Sequence, residues 1–154
     1  MNRHIDSGLM ASSLHDEKTF YSAFIHDLKL CKDEVIIESP FITAERARKL
    51  MPVFNTLLTR GVKIYVITLD PKEHYDGMER QSETTISNFE VMGVQVLLCV
   101  GNHHRKLAIL DRKVLWEGSL NILSQTYSRE VMRRIDSEVL TKEMFNFLNL
   151  NRFL

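Results

Sequence analysis

The stretch HRKLAILDRKVLWEGSLN, residues 104–121, decides how the rest of the chain is read. Two apolar runs, 107–110 and 114–116, flank the polar triplet Asp111-Arg112-Lys113, the pattern of two strands joined by a tight turn. Runs this uniformly apolar suit inner strands covered on both faces. His104 and Lys106 stand two residues apart, and so do Ser119 and Asn121. Alternate side chains of a strand share a face, so each pair points one way. In a helix the same spacing would put them on nearly opposite sides. The expected result is an imidazole, an ammonium, a hydroxyl and an amide converging from neighbouring strands, with no carboxylate on that face of the two strands.

A phosphodiester asks for such a set: cation and amide hold the non-bridging oxygens while a neutral imidazole attacks phosphorus. HxKxxxxD followed after six residues by GSxN resembles the HKD signature of the phospholipase D superfamily. His104, Lys106, Asp111, Gly118, Ser119 and Asn121 carry it, and the resemblance extends over roughly residues 34–140. It implies His104 as nucleophile, with Lys106, Asn121 and Ser119 around the phosphate. It implies that Asp111 is a buried support, in keeping with its place in the turn. Gly118 is expected to permit a close backbone approach. The resemblance also implies a downstream acidic residue that hydrogen-bonds the catalytic imidazole. Glu138, read as part of a strand in IDSEVL, is the candidate, with Asp136 its rival.

Expelling an alkoxide requires a proton on the leaving oxygen, so a second group must act as acid. An imidazole ordinarily titrates near ~6.5 and serves either role near neutrality. The chain contains one HxK set, so a homodimer that brings two His104 residues face to face would supply the missing acid. The resemblance implies the same: two-motif members fold both halves in one chain, whereas short bacterial nucleases with one motif pair as homodimers. The six histidines and two cysteines show no HExxH or CxxC spacing, so no metal or other cofactor is expected.

Residues 101–134 hold seven Lys/Arg against three acids, although the whole chain is formally neutral with twenty of each sign. A polycation is thereby excluded, but a local basic patch is not. The expected activity is a weakly sequence-selective endonuclease acting on DNA, with Arg105, Arg129, Arg133 and Arg134 as candidate nucleic-acid contacts. Two alternatives remain open. One is a phospholipid hydrolase or phosphatidyl transferase, which needs an apolar rim or an interfacial helix. The other is a DNA-binding module of a larger helicase or restriction system.

Elsewhere the pattern predicts a loose arm over 1–13 and a single domain over 14–154. A helix is expected from Leu14, carrying Phe20, Tyr21, Phe24, Ile25 and Leu28 at helical spacing. Strands at 34–39, 62–68 and 94–100 alternate with helices, one beginning at 43–50 and ended by Gly61, the other spanning 79–92. Pro52 should kink the first of these or start a second one. Helix and loop are expected over 122–133, a strand over 135–140 and a helix over 142–150. The fold class is therefore mixed α/β: a mainly parallel sheet flanked by helices on both faces, phospholipase D-like. Cys31 and Cys99 read as reduced thiols. With no run of 18 apolar residues and no secretory pattern at the start, no membrane span is expected and a cytoplasmic location is.

Overall fold

The structure, a computed structural model, describes residues 11–73, 78–124 and 127–154. Residues 34–99 form the expected βαβαβ unit: β2 (Glu34–Glu38), α2 (Ala44–Thr59), β3 (Lys63–Leu69), α3 (Met78–Met92) and β4 (Gln95–Cys99). The Thr43 side chain caps α2 by accepting from the Arg46 N–H. Gly61, at φ +86°, closes the helix in the left-handed conformation that favours glycine. Pro52 lies inside α2, which runs through it as one helix. Part of the expected 70–78 loop, residues 74–77, lies outside the described residues.

The chain begins with β1 (Ser12–Asp16) and α1 (Phe20–Lys29), and ends with β5 (Leu107–Leu110), β6 (Val114–Gly118), β7 (Val131–Asp136) and α4 (Glu138–Phe147). The seven strands make one sheet in the order β1-β7-β6-β5-β2-β3-β4. The sheet is mixed, as expected, but its balance differs. Only β2–β3 and β3–β4 are parallel, because only they are joined by helical crossovers. The other four pairings are antiparallel. Helices α1, α2 and α3 cover one face, packing Phe20, Phe24, Phe54 and Phe89 around Trp116, Ala108 and Ile37. The C-terminal segment covers the other, with Phe145, Leu148 and Leu150 over Ile36, Ile109 and Leu115.

Other expectations need correction. The sequence pattern places a loose arm at 1–13 and a helix from Leu14, yet Ser12–Asp16 is a strand paired antiparallel to β7. Residues 1–10 lie outside the described residues. The last strand is Val131–Asp136, not 135–140, and the terminal helix begins at Glu138. Ser137 separates them: its Oγ accepts from the Leu140 N–H 3.2 Å away and starts the helix. Pairing with both β1 and β6 satisfies the backbone of VMRRID, which lets a strand carry two arginines.

Candidate active site

Strand polarity gathers the motif at one end of the sheet. Glu38 at the end of β2 pairs with Leu107 at the start of β5, and Leu107 pairs with Glu117 near the end of β6. Gly118 pairs with Met132 near the start of β7. That end therefore collects the residues preceding β5, those following β6 and those preceding β7.

His104 and Lys106 lie just ahead of β5 and not within the strand as expected. His104 is exposed, and Lys106 is half-buried with its Nζ donating to the His104 carbonyl at 2.6 Å. The Gly118 N–H donates to the Lys106 carbonyl at 3.3 Å, which carries the hairpin register up to the site. Ser119 is exposed; its N–H donates to the Val131 carbonyl, and its Oγ accepts from the Val131 N–H at 3.0 Å. A Cβ on Gly118 would stand 2.1 Å from the Val131 carbonyl oxygen, so the close approach that glycine permits is to the backbone of β7.

Asn121 lies in the turn that leaves β6. Its Oδ1 is buried and has no hydrogen-bond partner. Tyr21 of α1 fixes that turn. Its hydroxyl donates to the Ile122 carbonyl at 2.8 Å and lies 3.1 Å from that of Ser124. Burial pushes the Tyr21 phenol up to about 12, so it remains a donor. The Arg46 guanidinium stacks 3.3 Å from the ring centroid. Tyr21 had been read only as part of an apolar helical stripe.

The downstream carboxylates fall differently from the sequence reading. Glu138 opens α4, is exposed, and binds Lys142 Nζ at 2.6 Å. Hydrogen bonding to Lys142 holds its carboxyl below the usual range. Asp136 faces Val114 on β6, at the far end of β7 from Gly118, and lies 3.9 Å from Arg134. Because β7 runs antiparallel to β6, the carboxylate at the site end is the one that precedes β7, Glu130. Hydrogen bonds from Ser119 first, then Ser128, hold Glu130 below the ordinary carboxylate range, and Lys106 adds to the effect. Sequence reasoning missed Glu130 because it placed the strand four residues too late.

Asp111 sits at the opposite end of the hairpin. Its Oδ2 accepts from the Lys32 N–H, and its Oδ1 from those of Asp33 and Glu34, all within 2.9 Å. It is a structural support, and both it and Arg112 take the left-handed conformation in the three-residue turn between β5 and β6. The basic candidates divide. Arg134 is committed to Asp27 through two hydrogen bonds of 2.7 and 3.1 Å, and the Trp116 indole N–H shares that carboxylate. Arg105 pairs with the buried Glu38. Arg129 is exposed, and Arg105 and Arg133 line an open groove of about 690 Å³ together with Lys106, Ser119, Leu14, Val131 and Phe147. Among the described residues, no group of three or more His, Cys, Asp or Glu could hold a metal ion. None of the helices described is long and apolar enough to cross a membrane.

Residues 24–149 match a family model described as cardiolipin synthase, PLD-like domain. No curated protein matches the sequence. Among solved structures, the fold is similar to that of NucT from Helicobacter pylori, at 19% identity and TM-score 0.68, covering 88% of this chain and 91% of that one. Nuc from Salmonella typhimurium, a phospholipase D family member, is similar at 16% identity and TM-score 0.72 with the same coverage. Phosphatidylserine synthase from Haemophilus influenzae superposes at 11% identity and TM-score 0.70, covering 91% of this chain and 36% of that one.

Proposed function

The chain belongs to the phospholipase D-like family of phosphodiesterases, and from that premise we propose that it is a metal-independent endonuclease that cuts DNA within a homodimer. The observation that carries this reading is one exposed histidine, His104, beside Lys106, Ser119 and Glu130 at one end of the sheet. His104 attacks phosphorus, forming a P–N bond as the P–O bond to the leaving group breaks. The protonated imidazole of His104 of the partner subunit gives its proton to the leaving oxygen. That imidazole then takes a proton from water as the water attacks phosphorus and the P–N bond breaks. Lys106, the amide N–H of Asn121 and Ser119 hold the equatorial oxygens, and removing one such donor costs about 10²–10³ in rate. Glu130 orients the cluster through Ser119 and offsets the charge of Lys106.

Single-turnover cleavage of end-labelled DNA in chelator tests this, with wild type beside His104→Ala. Cleavage by wild type, with an acid-labile phosphoprotein adduct absent from the variant, is the expected result. Equal cleavage by both proteins refutes the assignment of His104, and loss of cleavage in chelator refutes metal independence.

One observation favours a second reading. The groove at Lys106 and Ser119 is rimmed by Leu14, Val131 and Phe147, which are 62%, 58% and 83% exposed. An apolar rim beside a phosphodiester site suits a phospholipid headgroup with its chains alongside. Release of headgroup from anionic vesicles, with DNA left intact, would decide for the lipid.

A further inference from the structure

Glu38 ends the apolar run Val35-Ile36-Ile37 and is itself fully buried. Ile36 packs on the sheet face that holds Leu107, Leu148 and Leu150, and Glu38, two residues on, points the same way. A carboxylate in that position is costly unless paired. Burial holds its carboxyl above the usual range, with the Arg105 guanidinium opposing the shift. Arg105 Nη2 lies 3.1 Å from Oε1, and His103 Nε2 lies 3.6 Å from the same oxygen. Burial and then Arg105 hold the His103 imidazole below its ordinary range, so its contact is dipolar and not ionic. Neither carboxylate oxygen completes a well-aligned hydrogen bond. An arrangement this incomplete is poorly explained by stability, because well-packed apolar residues commonly replace buried ion pairs without loss.

Its partners suggest another explanation. His103 and Arg105 are the two chain neighbours of His104. His103 and Arg105 both reach down to Glu38, while His104 between them is exposed. Holding its two neighbours on Glu38 therefore fixes which way His104 points. Backbone hydrogen bonds pin this segment at its ends, from the His103 N–H to the Gly101 carbonyl and from the Gly118 N–H to the Lys106 carbonyl.

We propose that Glu38 is a positioning residue: it grips His103 and Arg105 from beneath the sheet end and so fixes the direction in which the exposed His104 imidazole is presented beside Lys106. This rests on the reading of His104 as nucleophile. The test uses Glu38→Gln and Glu38→Leu in the full chain, with labelled single-stranded DNA as probe. Urea midpoints and the order parameter of the His104 amide are measured in parallel. The expected result is an unfolding midpoint at or above wild type, kcat lowered by about 10²-fold in the Leu variant with KM nearly unchanged, and a His104 amide loosened from ~0.85 to below ~0.6. Glu38→Asp, which keeps the charge, recovers part of kcat. If Glu38→Leu does not fold, Glu38→Gln decides by the same readings. Unchanged kcat and unchanged amide order in a folded variant overturn the proposal, as does an activity loss that merely follows the unfolded fraction. Equal activity of wild type and His104→Ala would sink the functional reading alone, since the amide order still reports the anchor.

Discussion

Replacing Gly118 with alanine meets an unfavourable backbone and a lack of space together. Its φ of +159° is one that residues with a side chain rarely adopt. The space is the larger obstacle. An added Cβ lies 2.1 Å from the Val131 carbonyl oxygen, 2.8 Å from Met132 Sδ and 2.9 Å from Met132 Cα. The thioether can swing aside, but the other two obstacles are backbone, so β6 and β7 must part. Overpacking costs about 1–3 kcal/mol, and a backbone obstacle places this case near ~3 kcal/mol. At ~2–4 °C per kcal/mol for a domain of this size, the melting temperature should fall by ~6–12 °C. The parted strands carry Ser119 and, through the link to the Lys106 carbonyl, the register of the site. Turnover per folded molecule should then fall by about 10²-fold. The control is Gly61→Ala: φ is +86° and no atom lies within 4 Å of the added Cβ. That variant should lose only the ~1–2 kcal/mol of a left-handed alanine and keep full turnover. Calorimetry with DNA cleavage well below the transition measures both. A Gly118→Ala protein that melts within ~2 °C of wild type and cleaves normally would refute the reasoning.

Asp111→Ala strips the acceptor from three backbone N–H groups. We expect a loss of roughly 2 kcal/mol, since these donors are partly exposed, with turnover per folded molecule retained; a drop in turnover at unchanged urea midpoint would contradict the structural role. Glu130→Gln should cut turnover by about 10–100-fold, as loss of an orienting partner does, whereas Glu138→Gln should leave it within about twofold. The reverse order in a cleavage assay would restore the sequence-based choice. Glu38 also makes stability depend on pH. Its folded value is raised above the ordinary 4.5, so its stabilising contribution is fully present below that value and is lost as pH rises through the folded one. Wild type should therefore lose stability relative to Glu38→Gln as pH is raised from about 4.5 toward neutrality, and a difference in urea midpoints of the opposite slope would refute the shift.

Much of this was legible in the sequence where the signal is local. The βαβαβ unit follows from apolar runs broken by Gly61 and Gly93, and the β5–β6 hairpin from Asp111-Arg112-Lys113 between two buried strands. What failed was pairing information. Ser12–Asp16 carries no strand pattern of its own, with Leu14 62% exposed; it is a strand because β7 offers it a backbone partner. Val131–Asp136 was hidden for the same reason, and the shifted strand left Glu130 out of the comparison between Glu138 and Asp136. Glu38 did leave a signal, a carboxylate closing the run Val-Ile-Ile, which is costly unless something pairs with it.

Sheet order explains why the reacting segment needs such a partner. β4 lies at one edge, and β5 pairs with β2 on the far side of β3, so residues 100–106 must recross the end of the sheet. Three strand spacings come to about 14 Å, while seven residues can span about 23–25 Å when extended. The strap is therefore slack: nothing in its length fixes which way His104 points, and a strand ladder begins only at Leu107. Slack has to be removed by side chains, and the strap passes over β2 where that strand ends in a buried carboxylate. The two residues that reach down to it are those on either side of His104. On this argument the charge at position 38 is retained for aim and not for stability, which is why an apolar substitute should give a firmer fold and a poorer enzyme.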